Sequence, residues 1–443
     1  MNIEKTVRLL KKEMVVAMGC TEPAASALAG NRSAELLGCP PEKIIIHASR
    51  DMLKNTMGVG IPNCEDRGLM VAVLLGVCSD NPTKDLSILS TVSTEQRKKA
   101  KALTKITEVK MEEHVPPVYV RVDMEGGGHT ASSTIALEHD HFTDCSRDGQ
   151  VLLHEEMGNR QESYDDVEDA GSLTLASILE FARAVDKESV RFVLDSANTN
   201  LALAEYSIDN NYGLCTARAA LQDIPYPPES LSDAMTMACA YAAAASDARM
   251  SGCPKAVVIN SGSGNQGITC TVPQLVLHNY LGTSEETLIE ALCISELVGL
   301  MITAKKDRLS ALCGAFTAAM GSGCGMIHQM GGGLAEMNLL LRTMVGNLSG
   351  IVCDGAKTSC ALKIYSSLQA ACLAVRMAFN GNAPGRESGI IGSDGMESID
   401  NLMAMCHNGM IQTDRYYAWK ISCINRLFPP RLSPDQQRNW LCT

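Results

Sequence analysis

The chain has 443 residues, 46% of them hydrophobic and 20% charged, with a net charge of −12. An acidic balance without clustered Lys and Arg excludes a phosphate-binding surface, so a small-molecule partner is expected rather than a nucleic acid. The longest apolar run, "LMVAVLLGVC", falls far short of the ~20 residues of a membrane span, and the N-terminus lacks an apolar signal core, so a soluble cytoplasmic protein is expected.

Residues 1–38 read as helices that pack onto a later helical domain. In "MGCTEPAASALAG", Thr21 or Glu22 caps a helix with Pro23 in its first turn, which places Cys20 just before a helix N-terminus. A thiol there is expected to have a lowered pKa and to serve as base or nucleophile; the plainer reading is a packed thiol. Residues 39–229 read as a mixed α+β domain. "KIIIHAS", "PVYVRVDM", "ASSTIALEHD" and "VRFVLDS" are strand-like, "SLTLASILEFARAV" is helical, and a polar loop covers 139–168. Within it, "KNTMGVGIPN" sets Lys54 and Asn55 ahead of two glycines. "GGGHT" puts His129 at a strand end, where a lone histidine is more often structural than a site residue. From 230 to 420 the chain turns Ala-, Met- and Leu-rich. Segments 231–250, 284–304, 308–320, 333–345 and 358–379 are apolar on nearly every side and predict helices buried among helices. The expected fold class is α+β: a mostly α-helical catalytic domain with a smaller mixed α/β domain inserted after the N-terminal helix. Residues 421–443, polar and proline-bearing, read as a loosely attached tail.

Eighteen cysteines without a C-x2-C pair point to free thiols in a reducing compartment and exclude zinc ribbons and ferredoxin-type runs. Any metal site has to be assembled from distant segments. In "IVCDGAKTSCALK" a Gly-containing turn separates Cys353 from Cys360, and a helix capped at Thr358 or nearby follows. Cys360 then lies in a first helical turn, where unpaired N–H groups favour a thiolate and anionic ligands such as an iron–sulfur cluster. Packing of both thiols under the turn is the alternative. "RLSALCGAFTAAMGSGCGM" offers a third thiol: Cys313, in a buried-looking helix that ends at a Gly-rich loop, or Cys324, in that loop. Three thiolates would leave one iron open as a Lewis acid and four would suggest electron transfer; spacing does not decide between them. "INSGSGNQGI" forms a loop whose Ser261, Ser263 and Asn265 can wrap a carboxylate, or else a tight turn.

Taken together, "GCTEP", "KNTMGVGIP", "GSGNQGI", "RLSALCG" and "GNLSGIVCDGAKTSCALK" resemble, in order, the L-cysteine desulfidase family, relatives of the α-domain of iron–sulfur L-serine dehydratases. The resemblance implies a [4Fe–4S] enzyme without pyridoxal phosphate that cleaves L-cysteine to sulfide, ammonia and pyruvate. It places three cluster ligands on Cys313, Cys353 and Cys360 and the proton acceptor on Cys20. In the mechanism expected from this, the loop with Ser261, Ser263 and Asn265, together with Asn55, holds the substrate carboxylate. Asn63, Cys64 and Glu65 depart from the family pattern and put one pocket wall in question. The rival readings are an L-serine dehydratase, a non-catalytic iron–sulfur or thiol sensor, and a pyridoxal phosphate lyase using Lys305, Lys306 or Lys357. Oligomeric state is left open, a homodimer included.

Overall fold

The computed structural model describes residues 2–80, 85–155, 169–306, 310–349, 351–386 and 388–424; loop residues 156–168 and tail residues 425–443 lie outside the described residues. Helix α1 (Ile3–Glu13) buries Leu9 and Leu10 against helices far downstream, and strand β1 (Val16–Met18) follows it. Helix α2 (Thr21–Leu37) starts at Cys20 and ends at Gly38, whose φ of +72° supplies a left-handed C-cap. Strand β2 (Lys43–Ser49) alternates, so Ile44, Ile46 and Ala48 share a buried face. Then come α3 (Arg50–Thr56), α4 (Leu69–Val77), α5 (Thr94–Leu103) and strands β3 (Thr107–Glu112), β4 (Tyr119–Gly126), β5 (His129–Ala136), β6 (Phe142–Arg147) and β7 (Gln150–His154). Strands β2 to β7 make one sheet in the order β3-β2-β4-β5-β6-β7, parallel between β2 and β3 and antiparallel elsewhere. Helix α2 is held to it by Ser33, whose hydroxyl donates to the Val122 carbonyl at 2.7 Å. On its other side α4 approaches so closely that a Cβ on Gly76 would stand 1.9 Å from the Ala27 carbonyl oxygen. Only glycine permits that contact.

Helices α6 (Leu175–Ala184), α7 (Phe192–Asn210), α8 (Thr216–Ala220) and α9 (Leu231–Met250) precede strand β8 (Ala256–Val258), which pairs antiparallel with β1 and ties the N-terminal segment to the helical body. Helices α10 (Gly264–Leu281), α11 (Glu285–Lys306), α12 (Gly314–Gln329), α13 (Leu334–Leu348), α14 (Cys360–Phe379), α15 (Gly395–Gly409) and α16 (Ile411–Ile424) complete it. One apolar core gathers residues between Ala24 and Ile135; the other joins Leu9, Leu10, Met14 and Ala17 to residues from Leu173 to Met410. The fold is α+β, a mostly helical body with a small sheet domain, as the sequence predicts. Helix α11 is long and apolar enough to cross a membrane, but 83% of its apolar stretch is buried inside the molecule, as the central helix of a core is.

Four local expectations need correction, the first being that 139–155 carries strands β6 and β7 where the sequence reads as a polar loop. "VRFVLDS" enters α7 rather than forming a strand, because Val193, Ala197, Asn200 and Ala204 recur at helical spacing on a buried face. The 259–268 segment is a loop only to Ser263, after which α10 begins. Cys313 stands at the start of α12, not inside a helix that ends at glycines, and the glycine run lies in mid-helix. Added Cβ atoms would meet the Ser295 carbonyl at 2.3 Å from Gly321 and the Ala291 carbonyl at 2.7 Å from Gly325. Those glycines serve backbone-to-backbone packing of α12 on α11.

Candidate active site

Cys20, Asn55, Ser261, Ser263, Asn265, Cys313, Cys353 and Cys360 all line one cavity of about 90 Å³, room for several water molecules. His129 is not among its walls: it sits on the exposed end of β5, paired to Asp148 at 2.9 Å. Cys324 is fully buried within α12 and likewise takes no part in the lining. Asn63, Cys64 and Glu65 do not reach the cavity either.

Helix starts explain why these residues meet. Cys20 is the N-cap of α2, Ser263 of α10 and Cys313 of α12, while Cys360 opens α14, whose cap is Ser359 rather than Thr358. Four helix N-termini therefore face one cavity, and their first-turn N–H groups and positive dipole ends favour anions. Cys313 and Cys353 flank a short antiparallel bridge between Leu312 and Val352. The Cys353 N–H donates to the Ala311 carbonyl at 2.7 Å and the Cys313 N–H to the Ile351 carbonyl at 3.2 Å. The turn that follows is braced by Asp354, which pairs with Lys357 at 2.5 Å and with Lys363.

Burial governs the thiols. Cys313 is pushed up to about 12 by desolvation, with further repulsion from Cys353 and Cys360, so the three lie within electrostatic reach of one another. Cys360 is raised for the same first reason. Among the described residues no three His, Cys, Asp or Glu side chains close on a point as ligands of a single metal ion. Cys313, Cys353 and Cys360 nonetheless line the same cavity as soft donors, with Cys20 as its fourth thiol.

Cys20 overturns the expectation of a lowered pKa. Its thiol is raised, first by burial and then by the charge of Glu22, which outweigh Arg249 and the helix end. The Sγ–H donates to Glu22 Oε2 at 2.8 Å, and Arg249 Nη2 donates to Sγ at 3.4 Å while its Nε holds the Gly19 carbonyl at 3.0 Å. Glu22 also accepts from Thr21 at 3.2 Å and from Asn55 Nδ2 at 3.0 Å. Burial alone would raise the Glu22 carboxyl, but His139, Cys20 and Arg249 together hold it below its ordinary value.

Two lysines complete the wall. Lys54, 2% exposed, bonds Asp51 at 3.1 Å and Asp414 at 2.5 Å; burial acts against its charge, but these acids and Cys353 keep its pKa raised. Lys306 is equally buried, and desolvation lowers its pKa. Of the other lysines weighed for a Schiff base, Lys305 pairs with Asp400 at 2.8 Å and neither it nor Lys357 lines the cavity. Sequence reading missed Arg249 and His139 and saw Glu22 only as a cap. The one available signal was Arg249 itself, a lone cation ending the Ala-rich α9.

Comparison with known proteins gives the family. A profile of the serine dehydratase alpha chain matches residues 83–417. A protein named "UPF0597 protein" from Oleidesulfovibrio alaskensis is 38% identical over 411 residues, covering 92% of this chain and 95% of its own length. One of the same name from Porphyromonas gingivalis is 35% identical over 418 residues, covering 93% and 96%. The chain belongs to the serine dehydratase alpha chain family, an iron–sulfur-associated lyase family.

Proposed function

We propose that the chain is an oxygen-sensitive, pyridoxal-phosphate-independent lyase that cleaves L-cysteine to sulfide, ammonia and pyruvate, with a [4Fe–4S] cluster on Cys313, Cys353 and Cys360. The observation that carries this reading is the meeting of these three thiols and the Cys20–Glu22–Arg249 group in one cavity. When bound, the cluster would supply an open Lewis-acid position for the departing sulfur. The protein's own groups supply the rest. The helix ends at α10 and α12, with Lys306 beside them, present first-turn N–H groups and positive dipole ends to the substrate carboxylate. Cys20 Sγ accepts the Cα proton. Its raised pKa makes the thiol scarce as thiolate but makes the thiolate a strong base, which a poorly acidic Cα–H needs. Arg249 steadies the sulfur while it is charged, and Glu22 orients the thiol by accepting its hydrogen bond. Burial of the whole group keeps water from competing for that proton.

The family match favours a second reading, the same elimination from L-serine. Protein prepared without oxygen, assayed for iron and labile sulfide and then given each amino acid, separates the two. Sulfide and pyruvate released together from cysteine support the first reading, and pyruvate from serine alone supports the second. Neither product from cluster-loaded protein refutes both.

A further inference from the structure

We propose that Asn55 is the receptor for the substrate's α-ammonium group, which gives the site its selectivity for amino acids. The inference rests on the lyase reading above and reassigns Asn55 from the carboxylate end, where sequence reasoning had put it, to the amino end. Asn55 is 6% exposed on α3 and lines the cavity. Its amide has only one orientation open to it. Nδ2 bonds Glu22 Oε1 at 3.0 Å, and an ionised carboxylate only accepts, so the NH2 faces Glu22 and Oδ1 faces away. That Oδ1 is buried with no hydrogen-bond partner. Buried acceptors are rarely left unpaired, and one on a side chain that lines a binding cavity calls for a donor from the ligand. A carboxylate cannot provide it, since two acceptor oxygens repel; an ammonium brings three N–H donors. Glu22, one contact behind Asn55, adds a negative charge that draws a cation to the same corner. The lysine and helix-end wall serves the opposite charge, so the two ends of an α-amino acid are told apart.

The test uses two thiols on anaerobic, cluster-loaded enzyme, with binding read by calorimetry. Cysteamine has the amine and no carboxylate, and 3-mercaptopropionate has the carboxylate and no amine. In Asn55→Ala, cysteamine should weaken on the order of ten- to a hundredfold, the worth of a hydrogen bond to a charged group, while 3-mercaptopropionate stays within about twofold. Equal weakening of both, or selective loss of 3-mercaptopropionate, overturns the proposal. Should Asn55→Ala fail to fold by circular dichroism, Asn55→Asp decides. It keeps an acceptor and should keep cysteamine binding, and a folded Asp variant that loses cysteamine overturns the assignment. A wild-type enzyme that shows this discrimination yet releases no sulfide from cysteine refutes the lyase reading alone. One that turns over cysteine without the discrimination refutes Asn55 alone.

Discussion

Glu296→Gln should flatten the alkaline loss of stability. Glu296 lies wholly buried on α11; Asn260 Nδ2 donates to one of its carboxyl oxygens and to its backbone carbonyl at 3.2 Å, and the other carboxyl oxygen has no hydrogen-bond partner. Burial pushes its pKa from 4.5 up to about 8, with Asn260 opposing only in part. The native state therefore holds a proton that the unfolded chain releases, so native stability falls as pH rises from about 4.5 to about 8 and is level beyond. At about 1.4 kcal/mol per pH unit the whole loss is about 5 kcal/mol, of which about 3 falls between pH 6 and pH 9. Gln keeps an acceptor for Asn260 but does not titrate. Any cost of its extra amide protons is the same at both pH values and drops out of the difference. Denaturant unfolding of both proteins at pH 6 and pH 9 reads it directly: the variant should gain about 3 kcal/mol relative to wild type on going to pH 9. Parallel pH dependence in the two proteins would refute the reasoning, and with it the view that Asn260, which accepts from Ser261 at 2.9 Å, is anchored by a neutral acid.

Cys353→Ser or Cys360→Ser should lose bound iron after anaerobic reconstitution, whereas Cys324→Ser should keep it; metal analysis checks all three. Cys20→Ser should keep the cluster's visible absorption and lose turnover by on the order of 10²–10⁴-fold, the usual worth of a positioned base; retained turnover removes it from the chemistry. Gly321→Ala should destabilise by about 1–3 kcal/mol, because its methyl would meet the Ser295 carbonyl at 2.3 Å, while Gly385→Ala, with open space around it, should stay within about 0.5 kcal/mol in the same melts. Asp414→Asn removes one acid from the buried Lys54 and should cost about 3 kcal/mol by denaturant titration, loosening α16 from the helix that carries Asn55.

The elements legible in the sequence were those whose pattern answers to a single neighbour. Lys43–Ser49 alternates because one of its faces is buried in the apolar core of the sheet domain, and residues 231–250 are apolar on most sides because they sit among helices; 358–379 is expected to be enclosed likewise, but it leaves Leu362 and Leu373 exposed. Val190 to Asp195 misled because β-branched and aromatic residues describe a strand locally, while the partners that make this stretch helical lie beyond it in sequence. The glycines of α12 misled for the same reason: a loop and a close helix contact both ask for glycine, and only the identity of the neighbour distinguishes them. In the site, cysteines beside caps announced themselves, but Arg249 stands 229 residues from Cys20 and has no local mark. The sign of the Cys20 shift was out of reach for a related reason. A helix end lowers a thiol's pKa by a modest amount at a wetted surface, while full burial beside a carboxylate acts more strongly in the other direction, and depth of burial is a property of the assembled fold.

That reversal bears on how the cavity can work at all. Four helix ends make it welcoming to anions, yet the thiols of Cys20, Cys313 and Cys360 are held protonated by desolvation. In the proposed function, a cluster held by Cys313, Cys353 and Cys360 would take the place of thiol protons and leave the positive helix ends compensated. Cys20, placed at the fourth helix end, stays outside that exchange and keeps its proton close to Glu22. In the proposed elimination its burial would then have a chemical use: a thiol that ionised easily would be too weak a base for a Cα–H, whereas one beside Arg249 ionises only where the guanidinium can meet the charge on the sulfur.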